Sequence, residues 1–591
     1  MNISELFIRR PVMTSLIMLA VILFGVFAYR LLPVNDLPNV DYPSIQVSAS
    51  LPGASPETMA SAVATPLERE LSTIAGLEAM SSTSGQGSTQ ISLQFALERD
   101  IDAAAQDVQS ALAKAGRSLP RDMSTPPSYR KDNPADSPVL YLALHSPALP
   151  LTAISEYADT IIAPRISMLS GVSQVQVFGA QKYAVRVQLD PGALASKQLG
   201  IDEVADALAQ GNVNLPAGVL SGKQQSVTLQ AYGQLINAAA YQDLIVAYRN
   251  GAPVRLEEIA QISDSVENDK AAGWYNETRA VVLAVRRQPG TNTIEVVDRV
   301  KGLLPAMQAQ MPASVDLDIL YDRSVSIRDS VAEVKFTLVI TVCLVVMVIF
   351  LFLRNLSSTV IPSLALPLSL VGTFAGMYLL GFSVNNISLM ALTLSVGYVV
   401  DDAIVMLENI VRHTEKGEAA MDAALRGSRE IGFTILAMTL SLVTVFLPVL
   451  FMQGMLGRLL HEFAVSISLA ILISGFVSLS LTPMLCSRFL RTPAANGHGR
   501  AYLLLERFFT ALLAGYEKSL RLVLRFRLVA LVFTVLLTVF SVWLFTRMPT
   551  GLLPSEDTGA FRAITEGPQD VSFEAMVRNQ QILAKIVKGD P

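Results

Sequence analysis

Cysteine is nearly absent from this chain, since only Cys343 and Cys486 occur among 591 residues. Two cysteines cannot form a disulfide scaffold, and both lie inside apolar runs, where we expect packed, inert thiols. Charged residues are also scarce, at 16% of the chain against about 25% in typical soluble proteins. The net charge of −5 argues against nucleic acid as the main partner, because nucleic acid favours a basic face.

Apolar residues take the place of the missing charges, and the mean hydropathy is +0.44. Seven apolar runs reach the length of about 20 residues that a membrane-spanning helix needs. The run before residue 30 follows Arg9 and Arg10 but has no small-residue cleavage site, so we interpret it as an uncleaved span rather than a signal peptide. The predicted spans are 11–29, 336–353, 359–382, 384–411, 431–457, 463–487 and 528–546.

Basic residues indicate the orientation, because Lys and Arg of short loops stay on the cytoplasmic side. Arg9 and Arg10 precede the first span, and the segment 488–527 after the sixth span is rich in Lys and Arg. This distribution predicts a cytoplasmic N-terminus and places residues 31–335 outside the cytoplasm. Within the basic segment, residues 501–522 repeat apolar positions at helical spacing, which is typical of a helix lying along the membrane surface.

The outer block, residues 31–335, alternates short β-branched runs with helical patterns. Residues 42–49 and 88–97 are typical of strands, whereas 55–74 and 101–115 are typical of helices. The first of these helices starts with Ser55 as its cap and Pro56 in its first turn. This alternation predicts α+β units with a split βαβ topology. The stretch 210–260 is rich in turn residues and breaks the pattern, so we predict an inserted hairpin there.

The chain contains the start of an internal repeat. A shift of 516 residues superimposes four residues of the linker after the first span on identical residues after the seventh span. The matched pairs are Pro33 with Pro549, Pro38 with Pro554, Asp41 with Asp557, and Pro52 with Pro568. Internal repeats are common in transporters, and their interface contains the transport path. We expect a second copy that is truncated in this sequence.

Two adjacent carboxylates, Asp401 and Asp402, lie deep within the fourth predicted span. An Asp near the middle of a membrane helix costs about 2.5–3.5 kcal/mol, so the pair needs a protein interior and a use. Burial and mutual repulsion make the two carboxylates titrate as a coupled unit, as a proton relay requires. A structural ion pair and a sodium site are the alternatives.

Other polar residues flank this pair on the same span. Glu408 and Asn409 lie two turns further along and are predicted to form its interfacial end, whereas Asn385 and Asn386 are predicted to cap its outer start. No Lys or Arg occurs in the membrane core of any predicted span, so the counter-charge must come from elsewhere. The pattern indicates no catalytic group, no metal site and no cofactor.

Several motifs resemble those of resistance-nodulation-division (RND) transporters, and the likeness extends over the whole chain. The double Asp is similar to that of the hydrophobe/amphiphile exporter branch, and the first outer segment to the C subunits of MdtABC-type and MuxABC-type pumps. The motifs are LPGASPETMAS at 51–61, GYVVDDAIV at 397–405, LTPMLC at 481–486 and LPSEDTG at 553–559.

The resemblance implies a polytopic α-helical membrane protein with a large periplasmic α+β porter domain of ferredoxin-like units. Asp401 and Asp402 match the family's proton-relay carboxylates, and the family's relay lysine belongs to the second repeat. The segments it implies are span 1 at 1–30, porter subdomains at 31–335 with a docking insertion near 210–260, spans 2–6 at 336–487, a cytoplasmic linker at 488–527, span 7 at 528–548, and the start of a second periplasmic block at 549–591.

The implied function is efflux of amphiphilic drugs or toxic compounds in exchange for protons. The chain would be the inner-membrane subunit of a tripartite pump, not an enzyme. Implied partners are a homo- or hetero-trimer with a sister RND subunit, a periplasmic adaptor protein and an outer-membrane channel. Lipid or protein export on the same scaffold is an alternative, as are a membrane receptor and an intramembrane aspartyl protease. A protease is disfavoured because both carboxylates lie on one helix.

The residues that contact substrate are not identifiable from the sequence. Aromatic residues of the outer block occupy strand and helix-face positions, so we interpret them as core residues. They are Tyr42, Phe95, Tyr141, Tyr157, Phe178, Tyr183, Trp274 and Tyr275.

The predicted orientation can be tested by cysteine labelling in a chain that lacks Cys343 and Cys486. A cysteine introduced by Ser88→Cys or Ser226→Cys should react with a membrane-impermeant thiol reagent, because both positions lie in the outer block. The change Ala494→Cys should give no labelling in intact cells and full labelling after lysis. Labelling of this last position in intact cells would contradict the orientation.

Overall fold

The fold is that of a computed structural model of the chain. The structure describes residues 3–38, 43–121, 123, 125–132, 137–213, 216–230, 233–249, 251–353, 356–490, 500–548, 563–568 and 570–589. Tyr42, Ala494 and the repeat positions Asp41, Pro549, Pro554 and Asp557 lie outside these residues.

Helices occupy most of the described chain and include every apolar run. They are α1 (Ile3–Arg9), α2 (Pro11–Leu31), α3 (Pro56–Thr58), α4 (Thr65–Leu71), α5 (Ile101–Ala115), α6 (Leu151–Glu156), α7 (Ala163–Ser167), α8 (Pro191–Lys197), α9 (Ile201–Gly211), α10 (Ala238–Gln242), α11 (Thr293–Gln308), α12 (Arg323–Leu353), α13 (Leu356–Leu379), α14 (Asn386–Glu415), α15 (Ala420–Leu450), α16 (Gly454–Phe489), α17 (Arg500–Arg525), α18 (Arg527–Arg547) and α19 (Phe573–Lys588).

Strands occur only between α2 and α12 in the described residues. They are β1 (Ser44–Ser50), β2 (Leu77–Gly85), β3 (Ser88–Phe95), β4 (Ser128–Asp132), β5 (Leu140–His145), β6 (Val172–Phe178), β7 (Tyr183–Leu189), β8 (Pro216–Ser221), β9 (Ser226–Gln230), β10 (Ile245–Arg249), β11 (Ala252–Arg255), β12 (Ala260–Val266), β13 (Trp274–Tyr275), β14 (Thr278–Arg287) and β15 (Asp316–Asp322).

The chain divides into two compact units. One contains Met1–Val40 and Ser326–Ile564, and it is helical in its described residues. The other contains Asp41–Val325 and Thr565–Pro591, and it holds every described strand.

The first subdomain of the strand-containing unit has the predicted split βαβ topology. Its four strands follow the order β2-β3-β1-β4, and all neighbouring strands are antiparallel. Two helical segments cover one face, the first running from α3 to α4 and the second being α5, which begins at its N-cap residue Asp100. The apolar face of β3 contributes Ile91, Leu93 and Phe95 to the core between sheet and helices. The prediction of an α+β fold is confirmed.

The second subdomain repeats this topology with a long insertion. Four of its five strands follow the order β6-β14-β5-β15, with antiparallel neighbours, and the short β13 also pairs with β14. The segment from α6 to α7 packs with α11 against the sheet. The insertion lies between β6 and β14 and is closed by the pair β7–β12. It includes the exposed hairpin β8–β9, which falls inside the predicted insertion at 210–260.

A surface hydrogen bond ties the two closing strands of the insertion together. The hydroxyl of Tyr183 on β7 donates to Asp264 on β12, which also accepts the backbone N–H of Ala238 at 2.7 Å. The bond to the Asp264 carboxylate raises the pKa of Tyr183 to about 12 and lowers the pKa of Asp264.

Both subdomains interrupt their first helix with a wide π-helical turn that precedes a proline. The turns are Met59–Ala64 and Tyr157–Ile162, followed by Pro66 and Pro164. Proline lacks the backbone N–H that an α-helix needs, so a local change of hydrogen-bond register accommodates it.

Seven helices of the helical unit are long and apolar enough to cross a membrane: α2, α12, α13, α14, α15, α16 and α18. Each overlaps one predicted span. The helix α14 lies among α13, α15 and α16, and more than half of its most apolar stretch is buried. It runs parallel to α16, because Asn385 contacts Glu462 near the start of both helices and Val399 contacts Ser474 further along. Helix α18 begins and ends 516 residues after α2 begins and ends, which is the offset of the predicted repeat.

One predicted loop is wrong. The outer loop between the fifth and sixth spans was expected at 458–462, but α16 already begins at Gly454 and includes Arg458 and Glu462. The helix α15 ends at Leu450, and the break at residues 451–453 is followed by Gly454, whose φ of +79° lies outside the α-helical range. Polar residues in the first turns of a helix therefore resembled a loop.

The glycine Gly171, just before β6, provides a test of the second subdomain's packing. Its φ is +92°, and an added Cβ would lie 2.6 Å from Cγ2 of Val296 on α11. Gly53 has a φ of +84° with nothing within 4 Å of an added Cβ. Gly53→Ala should cost about 1–2 kcal/mol of backbone strain, and Gly171→Ala should cost more, because it adds a clash with a buried side chain. Denaturant unfolding of the purified chain measures both, and equal losses would contradict this packing.

Candidate functional site

The fourth predicted span, helix α14, buries only one of its two adjacent aspartates. Asp402 is 1% exposed, whereas Asp401 is exposed. Successive residues of a helix point about 100° apart, so burial of one side chain turns the next toward another face. The two carboxylates therefore occupy different surroundings, and only Asp402 faces the helices that surround α14.

A threonine on α15 is the hydrogen-bond donor to the buried carboxylate. Oγ1 of Thr439 lies 3.2 Å from Oδ2 of Asp402 and 2.9 Å from the carbonyl oxygen of Ile435. A hydroxyl has one hydrogen, so Thr439 shares it between its own helix and the aspartate. The contact joins α14 to α15 through a bond that can be given up at small cost, because the hydroxyl keeps a second acceptor.

The other oxygen of the same carboxyl, Oδ1, is buried and has no hydrogen-bond donor within the described residues. A buried polar atom without a partner is costly, and native proteins contain few of them. No Lys, Arg or His of the described chain forms an ion pair with Asp402. Oδ1 is therefore the open position of the site, able to bind a proton or to accept a donor from outside the described residues.

Small residues on α16 allow the helices to approach closely at this level. A Cβ added to Gly475 would lie 2.7 Å from Oγ1 of Thr439, so glycine makes room for the donor. Next to it, Ser474 donates to the carbonyl oxygen of Val399, one turn before Asp402, at 2.7 Å. The glycine and the serine thus hold α15 and α16 around the carboxylate, as small and hydroxylated residues do in membrane helix pairs.

The N-terminal start of α14 is capped as predicted, but with an additional partner. The side chain of Asn385 accepts the N–H of Ser388 at 2.8 Å and donates to Oε2 of Glu462 at 2.6 Å. Glu462 is 9% exposed on α16. Sequence reasoning missed this residue because it fell in the wrongly predicted loop.

The C-terminal end of α14 contacts α15. Asn409 is buried, and its Nδ2 donates to the carbonyl oxygen of Gly427 at 3.0 Å and to Oε2 of Glu430 at 3.2 Å. Glu408 is exposed. Asn409 thus joins two helices at this end and does not reach the carboxylate.

A spacing in the sequence could have located the buried face of α14. Four of its buried polar residues, Ser388, Ser395, Asp402 and Asn409, follow one another at intervals of seven. Residues seven apart return to nearly the same face of a helix. The polar stripe marks the side on which α14 meets its neighbours, and it separates Asp402 from Asp401.

The alternatives for the pair can be weighed against this geometry. No group of three His, Cys, Asp or Glu side chains in the described part of the chain could hold a metal ion. With Asp401 exposed, the two carboxylates do not converge on one cation, which weakens the sodium interpretation. The structural ion pair has no basic partner among the described residues.

A second feature, in the strand-containing unit, is a cavity of about 720 Å³. Its wall includes Trp274, Glu277, Phe573 and Met576, and Lys588 closes one side through a 3.2 Å ion pair with Glu277. Its size and mixed lining are typical of small-molecule pockets.

Exposure separates the aromatic residues that were predicted to be core. Phe95 is 1% exposed and belongs to the core of the first subdomain. Phe178 and Tyr183 are 51% and 48% exposed, so the core interpretation is wrong for these two. Both lie on strands β6 and β7, where the second subdomain meets its insertion.

Comparison with known proteins places the whole described chain in one family. A family model described as the AcrB/AcrD/AcrF family matches residues 3–591. "Multidrug resistance protein MdtC" of Klebsiella pneumoniae (strain 342) is 49% identical over 595 residues. The proteins of the same name from Pectobacterium carotovorum subsp. carotovorum (strain PC1) and Escherichia coli (strain SMS-3-5 / SECEC) are each 48% identical. In each case the match covers 100% of this chain and 58% of the relative.

The role of Gly475 can be tested by a double-mutant cycle. Gly475→Ala should destabilise the protein by about 1–3 kcal/mol, as overpacking of a close contact does, because the new Cβ meets Thr439. The loss should shrink when Thr439→Ala removes the side chain it meets. Gly397→Ala on α14 is the control, since nothing lies within 4 Å of its added Cβ. Thermal unfolding in detergent measures all four variants, and additive losses would refute the contact.

Proposed function

Because this chain belongs to the AcrB/AcrD/AcrF family of RND transporters, we propose that it exports amphiphilic drugs or other toxic compounds in exchange for protons. The relatives' name, multidrug resistance protein, supports this substrate class. On this proposal the chain is a secondary transporter of the inner membrane and not an enzyme.

The observation that carries the proposal is the open position at Asp402. A carboxyl group sits inside a bundle of apolar helices with one oxygen bound by Thr439 and the other without a donor in the described residues. Such a group can bind a proton arriving from one side of the membrane and release it to the other. A hydrophobic side chain would satisfy packing at lower cost, so the carboxyl needs a chemical use.

Asp401 is proposed as the second carboxylate of the relay. It is exposed on another face of α14, so it can meet groups that the described residues do not supply. Its negative charge next to Asp402 makes proton binding at either carboxyl depend on the other. We propose that the basic partner of the pair lies in a segment equivalent to the part of the relatives that is not covered by the match, which spans 58% of their length.

The proposed assembly is a trimer, homo- or hetero-oligomeric with a sister RND subunit. A periplasmic adaptor protein and an outer-membrane channel complete it. The N-terminus is proposed to be cytoplasmic, with the porter subdomains 31–335 in the periplasm. The exposed hairpin β8–β9 would then be free to dock on a neighbouring subunit, while 488–527 would form the cytoplasmic linker.

Amphiphilic substrates are proposed to contact the cavity at Trp274. Its indole offers an apolar surface and stacks with the guanidinium of Arg279 at 4.9 Å, while the Glu277–Lys588 pair adds charge. A wall that combines an aromatic face with both signs of charge suits molecules that carry an apolar body and a charged head.

The relay is tested by Asp402→Asn and Asp401→Asn in the complete transporter. Asparagine keeps the volume and a hydrogen-bond acceptor but removes the titratable proton. We expect normal expression and assembly with loss of proton-driven efflux, measured with a fluorescent substrate in vesicles of imposed pH gradient. The same variants should be combined with the equivalent changes in any sister subunit, because a hetero-trimer can divide the proton flux.

The outcome distinguishes a relay from a structural lock. If the carboxylates only paired with a buried cation, neutralising one should lower stability by about 3–5 kcal/mol, because the cation would lose its partner. Melting temperature and efflux are therefore measured on the same purified variants. Full efflux with the pairs of all subunits neutralised would rule out the relay.

A further inference from the structure

A buried histidine near the end of α14 contacts two carboxylates at once. The side chain of His413 is 9% exposed. Its Nδ1 lies 3.3 Å from Oε1 of Glu418, and its Nε2 lies 3.1 Å from Oε2 of Glu430. Glu418 follows α14 in the connection to α15, and Glu430 lies on α15 itself. We call these three residues the His413 clamp.

The clamp's geometry selects the charged form of the imidazole. A neutral imidazole has one N–H donor and one acceptor nitrogen, whereas ionised carboxylates only accept. Both contacts of His413 are therefore favourable at once only when both ring nitrogens carry a proton. The ring also lies in the last turn of α14, where the helix dipole stabilises a positive charge.

Each carboxylate of the clamp also accepts from donors other than the imidazole. Glu430 also accepts from Asn409 and from Arg412, each at 3.2 Å, and Glu418 pairs with Arg426 at 3.2 Å. A carboxylate with three donors is a poor proton carrier, because losing its charge would weaken every one of those bonds. The two carboxylates of the clamp thus serve as acceptors, and the proton content of the imidazole decides whether both contacts are favourable.

The other charged groups near this end of α14 turn away from the imidazole. Glu415, Lys416 and Asp422 are exposed. On α1, which also packs against α15, Glu5 and Arg9 pair with each other at 2.8 Å. Among the described residues, the charged groups around the imidazole are therefore the two carboxylates of the clamp and the guanidinium groups of Arg412 and Arg426, which bind the same carboxylate oxygens.

The clamp acts on the helix that carries the buried aspartate. His413 follows Asp402 by three turns of one continuous helix, a distance of about 16 Å at 1.5 Å per residue. Asn409, between them, bonds the same Glu430 and the carbonyl oxygen of Gly427. The end of α14 is thus fixed to α15, the helix from which Thr439 donates to Asp402.

We propose that His413 is a positioning residue whose protonated ring anchors the end of α14 to α15 and thereby keeps Asp402 opposite Thr439. The anchoring is a property of the clamp, while its consequence for export rests on the proposed function. When the ring loses its proton, one of the two carboxylates loses its donor and the end of α14 is released.

Amide hydrogen exchange tests the anchoring in the complete transporter. Peptides covering residues 414–420 should exchange faster as pH rises from about 5 to about 9, beyond the intrinsic effect of pH, since imidazoles titrate in this range. At the lowest pH of this range, His413→Gln and Glu430→Gln should each give roughly tenfold faster exchange than wild type, equivalent to about 1.4 kcal/mol. His413→Arg keeps a cation with several donors and should remain protected throughout.

The control is Glu415→Gln, which removes a negative charge, as Glu430→Gln does, but from an exposed residue in the last turn of α14. It should leave exchange and its pH dependence as in wild type. The anchoring is refuted if His413→Gln exchanges like wild type at every pH, or if Glu415→Gln has the same effect as His413→Gln.

The consequence for export is measured separately, as the pH profile of efflux. His413→Gln should slow efflux several-fold and flatten its dependence on cytoplasmic pH, with the protein still folded by melting temperature. Faster exchange with unchanged efflux would overturn the positioning role. Efflux that survives loss of Asp401 and Asp402 would instead refute the relay, and the exchange experiment would still decide on the clamp.

Discussion

A carboxyl group inside an apolar helix bundle is the constraint around which the helical unit is organised. Asp402 requires neighbours that bury it without neutralising it, and α13, α15 and α16 provide them. The helix that carries it is fixed at three heights: by Asn385 to Glu462, by Asp402 to Thr439, and by His413 to Glu430. The contact at each end of the helix is made to a carboxyl group of a neighbouring helix, whereas the middle one depends on the hydroxyl of Thr439, which also bonds the carbonyl oxygen of Ile435. The two ends of α14 are therefore held more strongly than its middle, where Asp402 is proposed to bind and release a proton.

Sequence reasoning predicted the elements that depend on pattern. Apolar runs of sufficient length located the seven helices, and alternating runs predicted the two split βαβ subdomains. It identified Asp401 and Asp402 as candidates because charge is rare in such runs. Adjacent residues cannot reveal which of them is buried, since that depends on the neighbouring helices. The seven-residue stripe from Ser388 to Asn409 would have indicated Asp402.

The remaining features depend on backbone geometry or on distant partners. The break at residues 451–453 adjoins a positive φ at Gly454, which no hydropathy pattern records, and the misplacement of this break in the sequence prediction concealed Glu462. Strand β2 was missed because its residues are mostly small, polar and exposed. Thr439 contacts Asp402 across 37 positions, and His413 contacts Glu430 across 17 positions. Both contacts join separate helices, so the spacing of residues within one helix does not predict them.

The π-helical turns are a second feature, besides the strand order, that the two porter subdomains share. A π-helical turn holds about one residue more than an α-helical turn, so it shifts the face that the following part of the helix presents to the sheet. Both subdomains carry it in the same helix of the same topology, and in both the proline follows the first residue of the turn by seven positions. The two subdomains therefore share a helix interruption as well as a strand order. The porter block thus repeats one structural unit within itself, while α2 and α18 repeat at the longer offset of 516 residues.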